Sequence, residues 1–285
     1  MISDKQFQKE IDLIIENAVR EDVGDGDYSS LACIPNDAEG KAQLLIKDNG
    51  VIAGIDFAKQ VFNYVDAKLE VKTLLNDGDK VDNADVAFTV SGSSQSILKS
   101  ERLVLNAMRR MSAIATKTHR FVEQLKDTKT QILDTRKTTP GIRALEKWAV
   151  KIGGGVNHRF ALYDMIMLKD NHIDFAGGIA QAIQKTHKYL KTHHLDLKII
   201  VEARNIEEVE LILKQDNVYR ILLDNFNYQD TKKAVDMIGQ KCYTESSGGI
   251  TLETAKQYAD CGVDFISSGA LTHSVHNMDM SLKAI

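Results

Sequence analysis

Between Asp134 and His172 the sequence gathers seven Lys/Arg against four Asp/Glu. That net charge of +3 leaves −7 for the rest of a chain whose formal charge is −4. A cationic segment in a mildly acidic chain points to a small anionic ligand rather than to a polyanion. Arg136, Lys137, Arg159 and Lys169 fall at expected strand ends or in a Gly-rich connection. There Arg offers a planar fork to a carboxylate or phosphate, and Lys a compact point charge. Arg143, Lys147 and Lys151 keep helical spacing and read as a solvated helix face. Gly153-Gly-Gly155, followed by Val156-Asn-His-Arg159, lets the backbone approach a ligand closely. His158 in that loop could orient an anion or serve structure.

Two carboxylates, Glu202 and Asp224, close later apolar runs. Among cations, carboxylates can bind sugar hydroxyls, hold Mg²⁺ through water or stabilise a developing positive charge. Two loops echo each other, Ser246-Ser-Gly-Gly249 and Ser267-Ser-Gly-Ala270. Each leads toward a helix, where backbone N–H groups and hydroxyls suit a phosphate. The sequence carries neither a Walker A motif nor Gly-x-Gly-x-x-Gly after the first strand, which excludes those routes to nucleotides.

The elements that must position these residues come in two styles. Before about residue 128 the pattern is mixed. Ser3-x-x-Gln6 opens a first helix with a capping box. An acidic loop, Glu21–Asp27, lacks the spacing of a calcium-binding hand. Strands are expected at Lys41–Lys47, Leu69–Leu75 and Val86–Val90, with a hairpin turn at Asn49-Gly50 and a helix at Phe57–Val65. Helical spacing then runs from Leu98 to Leu125. From Gln131 onward six short apolar runs alternate with amphipathic helices, ending at 134, 168, 202, 224, 245 and 267. The last four ends are 22, 21 and 22 residues apart, the length of a strand, loop, helix and return. Each run is closed by polar residues: Asp134 with Arg136 and Lys137, then Lys169, Glu202, Asp224, Glu245, and Ser267 with Ser268. In parallel βα architectures that is where active sites form. Six strands predict a barrel with fewer than the usual eight.

Composition excludes other classes. Hydrophobic residues at 43% and charged residues at 27% describe a globular chain. The longest stretch without Asp, Glu, Lys or Arg, Phe265–Met278, is too short and too polar to span a membrane. Charges in Met1-Ile-Ser-Asp-Lys-Gln6 and three dispersed cysteines, Cys33, Cys242 and Cys261, indicate a reduced cytoplasmic protein.

Several blocks together resemble one family. They are Glu101-Arg-Leu-Val-Leu-Asn106, Asp134-Thr-Arg-Lys-Thr-Thr-Pro-Gly141, Gly153-Gly-Gly-Val-Asn-His-Arg159, Leu168-Lys-Asp-Asn-His172, Val201-Glu202, Leu223-Asp-Asn225, Glu245-Ser-Ser-Gly-Gly249 and Ser268-Gly-Ala-Leu-Thr-His273. The family is quinolinate phosphoribosyltransferase. Ala113, Trp148 and Ala161 depart from its usual residues without removing a charge. The resemblance implies an α/β chain with an N-terminal α/β sandwich domain, 1–128, that includes the long linking helix. A catalytic, incomplete α/β barrel of about six strands follows at 129–285, on which the first helix could pack back. It implies that quinolinate and phosphoribosyl pyrophosphate give nicotinate mononucleotide, pyrophosphate and CO₂ in NAD biosynthesis. It further implies Mg²⁺ and a homodimer with shared active sites, with no nucleic-acid or membrane partner. In that picture Arg136, His158, Arg159 and Lys169 hold the dicarboxylate, joined by Arg102 from the partner chain. Thr135 helps place substrates, and Lys137 does so as one of the catalytic residues. Glu202 and Asp224 meet the ribose, its developing charge and the metal, and Ser247, Gly248, Gly249, Ser268 and Gly269 take the 5′-phosphate.

Rival readings are a nicotinate-type transferase that does not decarboxylate, a relative attached to molybdenum transport, a Schiff-base aldolase using Lys169, and a phosphosugar-binding regulator without turnover.

Overall fold

A computed structural model describes residues 2–285. In chain order its elements are α1 (Asp4–Val23), α2 (Tyr28–Cys33), β1 (Glu39–Ile46), β2 (Gly50–Val51), α3 (Ile55–Val65), β3 (Glu70–Thr73), β4 (Lys80–Val81), β5 (Val86–Ser93) and α4 (Ser94–Leu125). There follow β6 (Gln131–Leu133), α5 (Arg143–Ile152), β7 (Ile166–Leu168), α6 (Asp170–Ala176), α7 (Ile179–Thr192), β8 (Ile199–Ala203) and α8 (Ile206–Leu213). The last are β9 (Arg220–Asp224), α9 (Tyr228–Ile238), β10 (Tyr243–Ser247), α10 (Leu252–Asp260), β11 (Phe265–Ser267), α11 (Ala270–His273) and β12 (Met280–Ala284).

Two compact units interleave along the chain. The first is built mainly from Arg120–Arg136 and Gly155–Ala270. Its six strands form one parallel sheet in the order β6-β11-β10-β9-β8-β7, with helices between successive strands. This is the expected incomplete α/β barrel. Its strands are short and strongly apolar, as parallel strands covered by helices must be. Val201, Ala203, Ile221 and Leu223 are buried with Ile206, Val209 and Ile212 of α8 in one core cluster. Caps follow the sequence: Asn205 accepts the Glu208 amide at the start of α8, and Gly239 ends α9.

The second unit comprises Ser3–His119, Lys137–Gly154 and Leu271–Ile285. It holds the antiparallel sheet β12-β1-β5-β3. Phe57, Val61 and Phe62 of α3, Leu44 and Ile46 of β1, and Met108 and Met111 of α4 are buried in it. Ser3 and Gln6 form the capping box of α1. The acidic loop is spent on structure: Asp27 accepts the Ser30 amide and caps α2. The hairpin expected at Asn49-Gly50 is absent. β1 pairs with β5 and β12 instead, and Gly50 begins β2, which pairs with β4. Gly50 is required by crowding, because a Cβ there would run into the Thr116 side chain and Met278.

Candidate active site

The barrel unit places its polar residues at the carboxyl ends of β7, β8 and β9. Lys169 directly follows β7 and stands at the N-terminus of α6. Glu202 is the penultimate residue of β8, and Asp224 ends β9 beside it. Lys169 Nζ lies 3.6 Å from Glu202 Oε2, and the Asp170 amide donates to Glu202 Oε1 at 3.3 Å. Burial raises the Glu202 carboxyl above its ordinary value of 4.5. Lys169 opposes that rise, and Asp224 and Asp170 add to it. Glu202 is therefore a buried carboxylate short of positive charge. Asn225 donates to Asp224 Oδ2 at 2.7 Å and holds that carboxylate from the other side.

Arg159 is also buried, at 6% exposure, and its Nη1 donates to the Met165 carbonyl at 3.1 Å. Burial lowers the guanidinium pKa, the charge of Arg136 lowers it further, and Asp164 offsets part of the fall. Two neighbouring guanidinium charges favour an anion between them. Asp164 fixes the intervening turn by accepting the Phe160 and Ala161 amides, each at 2.8 Å. Arg136 itself is exposed, and Thr135 beside it is half-buried.

His158 takes a structural post. It is 7% exposed, its backbone N–H donates to Asp134 Oδ1 at 2.8 Å, and its Nδ1 accepts the Arg159 amide at 2.7 Å. With Nδ1 acting as acceptor, the ring proton belongs on Nε2, which faces Glu245 Oε2 at 3.3 Å. Glu245 corrects the strand-end expectation. It lies at the middle of β10, fully buried, opposite Leu222 and Phe265. Burial works against its charge, but His158 and Arg220 outweigh burial and hold the carboxyl down to about 2. Arg220 Nη1 meets the same carboxylate oxygen at 2.6 Å, and its guanidinium lies over the Phe265 ring at 4.0 Å. Asp134 is likewise fully buried and accepts from Asn157 Nδ2 at 2.6 Å. Sequence reasoning missed Arg220, because a charge opening an apolar strand reads as solvent-facing.

The two glycine loops follow β10 and β11 as expected. At Gly248 the backbone has φ +100°, and a Cβ would collide with the Asn225 side chain, so only glycine fits. Gly249 follows with φ +60° and is exposed. Ser247 is half-buried, and its carbonyl accepts the Asn225 amide at 2.9 Å. Ser268 is buried. Its hydroxyl donates to the Ile250 carbonyl at 3.0 Å and its amide to Leu133 at 3.1 Å, so its polar atoms tie the loops together. Gly269, half-buried, follows it.

Lys137 and Arg102 belong to the second unit. Both are exposed, Arg102 on α4 and Lys137 in the irregular segment before α5. The solvated face expected for Arg143, Lys147 and Lys151 is corrected. Lys151 is exposed, but Lys147 is only 2% exposed and Arg143 donates from Nε to Thr138 Oγ1 at 2.9 Å. α5 packs on both sides, with Trp148 edge-on to Phe7 of α1 at 5.6 Å.

Among the described residues no cluster of three or more His, Cys, Asp and Glu gathers that could cage a metal. The hard carboxylate oxygens of Glu202 and Asp224 do fit a cation of Mg²⁺ type, which usually takes one or two carboxylates and completes its shell with water and substrate phosphates. Among those residues, too, no helix is long and apolar enough to cross a membrane.

Comparison with known proteins covers nearly the whole chain. The profile of the quinolinate phosphoribosyl transferase N-terminal domain matches residues 27–112, and that of the C-terminal domain residues 114–283. Quinolinate phosphoribosyltransferase (decarboxylating) 1b of Nicotiana tabacum is 44% identical over 285 residues, covering 95% of this chain and 81% of the relative. The solved nicotinate-nucleotide pyrophosphorylase of Ehrlichia chaffeensis superposes with a TM-score of 0.89 at 36% identity, over 100% of this chain and 99% of that one. That of Francisella tularensis gives 0.90 at 34% identity, over 97% and 96%. With motifs, barrel, strand-end charges and both domain profiles in agreement, the chain belongs to the quinolinate phosphoribosyltransferase family.

Proposed function

We propose that this enzyme transfers the phosphoribosyl group of phosphoribosyl pyrophosphate to the ring nitrogen of quinolinate, in NAD biosynthesis. The carrying observation is that the barrel unit holds both a pair of cations, the buried Arg159 with Arg136, and carboxylates at neighbouring strand ends, Glu202 and Asp224. A dicarboxylate relieves the first pair, and the cation-like ribose of the transition state meets the second. The quinolinate nitrogen forms a bond to C1′ as the C1′–oxygen bond to pyrophosphate breaks. The ring, now a pyridinium, accepts the electron pair left when the adjacent carboxylate departs as CO₂, and a proton replaces it.

In this reading Arg136, Arg159 and Lys169 bind the two carboxylates. His158 acts one step back, holding the Arg159 amide. Thr135 and Lys137 place the substrates. Ser247, Gly248, Gly249 and Gly269 offer backbone and hydroxyl donors to the 5′-phosphate, with Ser268 bracing the loop. Glu202 and Asp224 would hold Mg²⁺, directly or through water, which when bound neutralises the leaving pyrophosphate. The reading includes a homodimer in which Arg102 reaches the partner's quinolinate. It also includes a reducing, cytoplasmic setting, supported by three free thiols. The test is incubation with phosphoribosyl pyrophosphate, Mg²⁺ and either quinolinate or nicotinate, following CO₂ and mononucleotide. Quinolinate should turn over and nicotinate should not, because one carboxylate leaves part of a cation set built around the buried Arg159 unpaired. Efficient use of nicotinate would overturn the assignment.

A further inference from the structure

Three consecutive residues of the segment carrying Lys137 are held by side chains from elsewhere in the second unit. The Lys137 carbonyl accepts from Thr272 Oγ1 at 2.8 Å. Thr138 Oγ1 accepts from Arg143 Nε at 2.9 Å. Thr139 donates from its amide to Glu146 Oε2 at 3.0 Å and from its hydroxyl to Oε1 at 2.9 Å. Glu146 is fully buried on α5 and also receives Arg110 of α4, Nε at 3.0 Å and Nη2 at 2.9 Å. The same Arg110 Nη2 donates to the Thr272 carbonyl, and Thr272 is fully buried too. The bonds close a ring: Lys137 through Thr139 to Glu146, to Arg110, to Thr272 and back to the Lys137 carbonyl.

Stability alone does not call for this arrangement. Well-packed apolar residues of similar volume often serve as well as a buried ion pair. A buried ring in which each member fixes the next sets position instead. Lys137 is exposed, so its flexible side chain leaves from a backbone held at its carbonyl and at the next two residues, which removes part of the entropy of aiming it. We propose that Arg110, Glu146 and Thr272 are positioning residues that act through Lys137. The proposal rests on the reaction set out above.

The test is a double-mutant cycle on kcat/KM for quinolinate turnover. Thr272→Val keeps volume and burial but leaves the Lys137 carbonyl without its donor. It should lower kcat/KM about tenfold, the effect of losing one buried hydrogen bond. Lys137→Ala should cost more. In the double variant Thr272→Val should add less than about twofold to the loss from Lys137→Ala, because the ring then has nothing left to aim. Glu146→Gln, which presents an amide where Thr139 needs an acceptor, runs through the same cycle if Thr272→Val does not fold. Multiplicative losses in an active enzyme would overturn the positioning role alone. An inactive wild-type enzyme would overturn the reaction and the role with it. If neither variant folds, the ring is a folding element and the proposal falls.

Discussion

Glu202 keeps a raised carboxyl pKa although the Lys169 ammonium stands 3.6 Å away. Burial outweighs the lysine because the lysine is half exposed and the carboxylate is not. The Glu202 carboxylate is thus a charge that its buried place makes costly.

Neutralising that charge should therefore stabilise the fold and disable the enzyme. A carboxyl raised in the folded state contributes stability below its unfolded value and loses it as pH rises through the folded value. At neutral pH ionised Glu202 is a liability. Glu202→Gln should raise the thermal midpoint at about pH 8, with the gain shrinking toward about pH 4. It should lower kcat about 100-fold, the scale of one lost electrostatic contact to a transition state. Unchanged kcat would remove Glu202 from the chemistry.

Arg159→Ala and Lys169→Ala should act on binding. Each should raise KM for quinolinate by about tenfold or more, consistent with losing a partly desolvated charge contact. KM for phosphoribosyl pyrophosphate should stay within about twofold, since a contact to one substrate carries no penalty for the other. Arg159→Lys should behave like the alanine variant, because lysine cannot supply a fork beside Arg136. Steady-state kinetics with each substrate varied in turn decides this.

Glu245→Gln should be a stability variant. Breaking a buried ion pair from one side costs about 3–5 kcal/mol. Glu245 is held down to about 2 by His158 and Arg220 against the pull of burial. Its contribution is therefore present above its unfolded value and lost as pH falls toward the folded one. Urea unfolding should show a large gap between wild type and variant at about pH 7 that narrows at about pH 3. A constant gap would mean that packing, not charge, is lost.

The homodimer reading is decided by mixing defective chains at quinolinate well below the wild-type KM. There Arg102→Ala and Lys169→Ala should each keep about a tenth or less of wild-type activity. If Arg102 serves the partner's site, a heterodimer has one site with both defects and one with neither. Subunit exchange should then restore up to about half of the wild-type sites in each heterodimer. No recovery, with exchange confirmed, would mean that Arg102 serves its own chain or structure alone.

The barrel was legible because its strands are local statements, each an apolar run closed by a polar residue and repeated at an even period. Glu202 and Asp224 stand where that rule put them. The rule failed at Glu245, since β10 continues through Ser246 and Ser247 and its polar residues hid the true strand end. Lys147 was misread because helical spacing shows which residues share a face, not whether a second element covers it. Asn49-Gly50 carried a hairpin signal that tertiary pairing overrode. The ring around Thr139 joins residues from 110 to 272, and no local pattern records such a closure.

β12 pairs with β1 along five residues, Ala42 with Ala284 through Ile46 with Met280. That edge of the four-stranded sheet reaches the ribosome exit only after the whole barrel sequence has emerged. The nascent chain must carry β1 with a bare rim of backbone donors and acceptors throughout synthesis, a template for another strand until its own arrives. Shortening the chain before Met280 would make that temporary rim permanent, and the harm would appear as clumping of newly made protein, far from any substrate.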